Sequence, residues 1–131
     1  MTRPFLMIAA AALTLSACAS ATQSKLDELA GPGNVAAMDA AAMCDMDKAL
    51  SLALAEENST SPSARLFSKF AQAAIYTDTG QPDKAAQAII EASDPSLNPK
   101  GLSREQMQAS SDAVLEGIRG KREDATGSRS C

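Results

Sequence analysis

Between Asn34 and Gly120, apolar positions recur every three to four residues, the spacing of one helix face. Each run is closed by residues that break helices. Asn34 is placed to cap a first helix from Val35 to about Cys44. Asp45 or Met46 opens a second, with Met46, Leu50, Ala53 and Leu54 on one face and Asp45 and Asp47 at its positive end. Asn58-Ser59-Thr60-Ser61 breaks it. Ser61 then caps a third helix with Pro62 in its first position, where a missing amide hydrogen costs nothing. Leu66, Phe67, Phe70, Ala74 and Ile75 form its stripe, and Gly80 is a natural left-handed stop. Pro82 opens a fourth helix striped by Ala85, Ala86, Ile89 and Ile90. The stretch from Asp94 to Gly101 reads as a loop. Ser103 with Gln106 three residues on is a capping box. Met107, Ser111, Val114, Leu115 and Ile118 line a fifth helix, which Gly120 is expected to end. Lys121 to Cys131 then reads as a loose polar tail. No segment alternates with a period of two, so the pattern predicts an all-α fold of about five helices, in two hairpins with a C-terminal capping helix.

Ahead of the helices the pattern changes. Phe5 to Ala17 is an apolar run preceded by one charge, Arg3, and ending in small residues, which describes a secretory signal peptide. It is too short to span a bilayer. Residues 18–33 read as a flexible tether, rich in small and polar residues and closed by Gly31-Pro32-Gly33. The length of 131 residues leaves room for one domain, over residues 34–120.

The chain carries 12 basic and 16 acidic residues, and with Arg3 removed the remainder is one unit more acidic than the whole chain's −4. Such a domain is repelled by phosphates and by anionic headgroups, so nucleic acid is not an expected partner. Histidine is absent, which removes the commonest general base and the commonest metal ligand. The serines read as caps and loops, and no catalytic residue or cofactor is assigned. Met43-Cys44-Asp45-Met46 with Met38 offers soft ligands, but methionines at helical spacing are core fillers, and no metal site is assigned either.

Leu15-Ser16-Ala17-Cys18 resembles the lipobox of bacterial lipoproteins. The resemblance implies cleavage before Cys18, acylation of its thiol, and a membrane held through acyl chains. Two or more such chains anchor stably where one does not. Ala19, where that family reads aspartate as an inner-membrane signal, implies the outer membrane facing the periplasm. Export also bears on the other two cysteines. Cys44 and Cys131 could form an intramolecular disulfide, Cys131 could bridge to a second molecule, or both could stay free, since sequence does not place their α-carbons.

Asp47-Lys48-Ala49 recurs as Asp83-Lys84-Ala85 at an offset of 36 residues, and Leu50, Ala53 and Leu54 then align with Ala86, Ile89 and Ile90. The period and the packing residues Tyr76, Gly80, Ala85 and Ala92 resemble the tetratricopeptide repeat. Lys69 and Gln72 depart from that motif, and the first copy has Cys44 in place of the glycine and Ala40 in place of the tyrosine. The resemblance implies a module that binds another envelope protein. The competing reading is a structural lipoprotein whose helices associate with themselves.

Overall fold

The computed structural model describes residues 24, 25 and 27–131. The signal segment, Leu15, Ser16, Ala17 and Cys18 lie outside the described residues. Within them the fold is all-α: α1 Pro32–Ala42, α2 Met46–Ala55, a 3-10 turn Glu56–Asn58, α3 Pro62–Asp78, α4 Pro82–Ala92 and α5 Arg104–Thr126. Helices α1 and α2 form one hairpin and α3 and α4 a second. The first leans on α3 through both its helices and the 3-10 turn. Helix α5 lies across α1 and α3, touching α4 less. No described helix is long and apolar enough to cross a membrane.

The two hairpins turn in the same way. At the end of α1 the Cys44 amide donates to Ala41 O and the Asp45 amide to Ala40 O. At the end of α3 the Gly80 amide donates to Thr77 O and the Gln81 amide to Tyr76 O. Both are Schellman turns, which need a left-handed residue after the helix. Gly80 holds φ 71° and Cys44 holds φ 62°, the one non-glycine residue with positive φ among those described. Side-chain caps form at Asp45, Ser61 and Ser103, the last with the reciprocal bond from Gln106.

Several local expectations are corrected. Asn34 does not cap α1, because Pro32 starts the helix earlier with Gly31 at φ 88°. The free amide of Gly33 donates instead to Glu56 Oε1 at 2.8 Å. Asn34 is buried, and its Nδ2 donates to Ala30 O at 2.7 Å and to Ala64 O at 2.9 Å, welding the starts of α1 and α3 together. The flexible tether therefore does not extend to residue 33, since residues 27–30 are helical and Ala30 and Gly31 are buried.

Helix α5 also outruns its expected stop. Gly120 lies inside it, and the left-handed Gly127, φ 79°, ends it. An internal glycine weakens a helix by only about 1 kcal/mol, and anchors beyond Gly120 outweigh that. Arg122 is fully buried. It donates to Asp78 Oδ2 at 2.6 Å, to Ala41 O at 2.8 Å and to Arg129 O at 2.8 Å. Arg119 reaches Asp78 Oδ1 at 3.2 Å. The stretch expected to be loose is thus docked on the ends of α1 and α3, where the helix dipoles favour a cation.

The core is built largely of alanine with Phe70, Ile75, Ile89, Met107, Val114, Leu115 and Ile118. Small side chains let the helices cross closely, and a Cβ on Gly117 would stand 3.3 Å from Met38 Cε. The buried face of α4 is Ala85, Ala88, Ile89 and Ala92, so Ala86 and Ile90 are rotated out, as is Leu54 on α2. Leu66 and Phe67 are half-buried beside the buried Phe70.

Candidate docking surfaces

A stack of helix hairpins offers its inner face, along the first helix of each pair, to a partner. Here α5 covers that face on both α1 and α3. Its own Met107, Val114, Leu115 and Ile118 are buried, and its Ser111 Oγ donates to Phe70 O on α3 at 3.2 Å. The C-terminal capping helix expected from the sequence thus packs on both hairpins. The surfaces open to a partner are therefore on the outer side.

A cleft of about 320 Å³ lies where the first hairpin meets the second, lined by Leu54, Glu57, Lys69, Gln72, Tyr76, Lys84 and Ala88 among others. Lys69 leaves the buried side of α3 and divides its ammonium between Glu57 at 2.5 Å and Glu91 at 2.7 Å. Gln72 donates to Glu57 at 2.7 Å and to Ser68 Oγ at 2.9 Å, and Ser68 in turn donates to Ala53 O at 2.5 Å. Burial alone would lower the Lys69 pKa, but the bonds to both carboxylates raise it above the ordinary lysine value. The same bond from Lys69 holds Glu91 below the usual carboxylate range. One ammonium thus faces two carboxylates, and the clamp joins α3 to α4 and, through Ala53 O and the 3-10 turn, to the first hairpin. Tyr76 is half-buried at the other end, with Lys84 Nζ 5.7 Å from its ring centre.

Two further concavities lie elsewhere on the surface. One of about 370 Å³ sits on the first hairpin, lined by Ala36, Asp39, Ala40, Met43, Asp45, Lys48 and Leu52. The other, about 500 Å³ and more apolar, lies between the start of α3 and the 97–102 loop. Among the described residues no group of three or more metal-ligating side chains gathers.

The residues singled out from the sequence are distributed as follows. Cys44 and Cys131 are joined in a disulfide with α-carbons 5.7 Å apart. Gly80 makes the second turn, and Ala85 and Ala92 are buried against α3. Tyr76 lines the cleft. Glu57 and Glu91 escaped the sequence reading. The signal for the clamp was present, however, because Lys69 and Gln72 are the residues of this helix that depart from the repeat motif. Arg122 and its partner Asp78 also escaped it, being 44 residues apart. No protein-family model matches this chain, and no curated protein or solved structure resembles it.

Proposed function

We propose that this chain is a lipid-anchored protein of the bacterial cell envelope whose disulfide-stapled helical domain docks other protein molecules. The observation that carries the anchor is Leu15-Ser16-Ala17-Cys18 at the end of the apolar run. Acyl chains on Cys18 hold the domain at the outer membrane, facing the periplasm. A Cys44–Cys131 bridge suits that oxidising compartment. Docking, rather than catalysis, fits a surface whose buried charges are consumed in pairing with each other. One observation favours self-association among the docking readings: α5 fills the inner face on which a foreign peptide would lie.

The test is fractionation of envelopes from cells producing the full chain and Cys18→Ser, with mass spectrometry of the amino-terminal peptide. The intact protein is expected in the membrane fraction with an acylated Cys18 as its first residue. The variant should be soluble or remain uncleaved. A Cys18→Ser protein that is processed and still sediments with membranes would remove the anchor.

A further inference from the structure

The repeat offset of 36 residues maps one concavity onto the other. Ala36, Ala40, Lys48 and Leu52 of the first hairpin correspond to Gln72, Tyr76, Lys84 and Ala88 of the second. The first set lines the 370 Å³ concavity and the second lines the interhairpin cleft. They are the same surface of two like hairpins, since both carry the same turn and the same buried positions, Ala49 with Ala85 and Ala53 with Ile89. In the second hairpin this surface is bordered by another part of the chain. The end of the preceding hairpin leans on it, with Leu54 over the cleft and Ala53 O and Glu57 bonded to α3. On the first hairpin the seat is open among the described residues, and Met43 at its rim is 63% exposed.

The offset also supplies the occupant. Leu54 corresponds to Ile90, which stands out from α4 at 47% exposure, as Leu54 does from α2 at 41%. Glu57, whose charge is answered by Lys69, corresponds to Ser93, and Lys69 corresponds to Gly33. Serine and glycine thus stand where the clamp has glutamate and lysine, while the Glu56 carboxylate bonds the Gly33 amide and Asp39, Asp45 and Lys48 line the seat. We infer that the occupant is a second copy of this chain. The Ile90 face of one copy packs on the Ala36–Ala40–Leu52 seat of the next, in the position that Leu54 takes at the edge of the cleft inside each copy. This rests on the docking reading but not on the anchor. The contact joins two different faces, so it propagates as a chain or closes as a ring.

The experiment places a photo-crosslinking amino acid at position 90 of the full chain in its own membrane and maps the links. Links from 90 to residues 36–52 of another copy are expected. In parallel, Ile90→Glu and Met43→Glu chains are each measured for self-association. Each should associate about tenfold more weakly or worse, because a carboxylate is pressed into an apolar contact. Both sites are exposed, so unchanged unfolding curves are expected. Mixing the two variants should restore pairs, since each retains the face the other has lost, but not longer assemblies. Links to a different protein alone would overturn the self-stacking and leave the docking reading standing. Absence of any link, with a monomer in sedimentation, would overturn both. Links from 90 to 90, or from 90 to residues of the same chain, would overturn the head-to-tail arrangement.

Discussion

The Cys44 turn can be taken apart one contribution at a time. Cys44 does two things: it closes a disulfide to Cys131 across a sequence separation of 87 residues, and it holds a left-handed turn at φ 62°. For a loop of that length, chain entropy gives about 4–5 kcal/mol of stabilisation. The left-handed conformation opposes this by about 1 kcal/mol, since an L side chain there is crowded where glycine is not. Cys131→Ala and Cys44→Ala should therefore each lose about 4–5 kcal/mol in non-reducing urea unfolding followed by circular dichroism. Cys44→Gly should lose about 1 kcal/mol less than Cys44→Ala. The equivalent turn supplies the reverse experiment. A side chain at Gly80 meets nothing within 4 Å. Gly80→Ala should thus cost about 1 kcal/mol through the backbone alone. If Cys44→Gly is no more stable than Cys44→Ala while Gly80→Ala is destabilised, the two turns are not equivalent and the reasoning fails. A loss below about 1 kcal/mol in Cys131→Ala would refute the staple itself.

Arg122→Met should destabilise by about 3–5 kcal/mol, because it removes the buried partner of Asp78, leaving it only Arg119, and takes the donor from Ala41 O, whereas Lys121→Met next to it should change stability by less than about 0.5 kcal/mol. Comparable losses in urea unfolding would mean Arg122 is not the anchor of α5. Phe70→Ala should cost about 3–5 kcal/mol and the half-buried Phe67→Ala roughly half that, read from melting curves. Stability should also follow the Lys69 clamp with pH. Glu91 is depressed from 4.5, so its contribution is present above that pH and is lost as the pH falls through its folded value. Lys69 is raised from 10.5, so its contribution is present below that pH and is lost as the pH rises through its folded value. Glu91→Gln should flatten the acid limb of the urea midpoint measured against pH, by well under ~1 kcal/mol at a partly exposed site. An unchanged acid limb would show that the pair contributes nothing there.

What was legible from the sequence was local. Ser61-Pro62, Pro82 and Ser103 with Gln106 mark helix starts through interactions within one turn, and those starts lie where the residues put them. The offset of 36 residues likewise aligned Cys44 with Gly80 before any geometry was known. What escaped depends on partners far away in the chain. Gly120 reads as a stop until Arg122 is seen bound to Asp78, and Asn34 reads as a cap until Glu56 is seen doing that work for Gly33. The stripe on α4 was misjudged for a different reason. Ala85 and Ile89 are buried as the stripe has it, but the small Ala88 and Ala92 complete that face at the close crossing with α3, and Ala86 and Ile90 turn outward although Ile90 is the more apolar.

The staple has a mechanical consequence. It turns everything from Cys44 to Cys131 into a closed covalent ring, outside which the described fold has only the stretch that leads through α1. A pull applied to the chain ahead of Gly31 can unravel that helix and pay out at most about 45 Å of extended backbone. Beyond that point tension no longer runs along a single strand. It divides between the two arms of the ring, so each arm bears only part of the load, and Cys131 resists as directly as Cys44. A domain hung from one end by a thread would be held, under strain, as a loop rather than as a line.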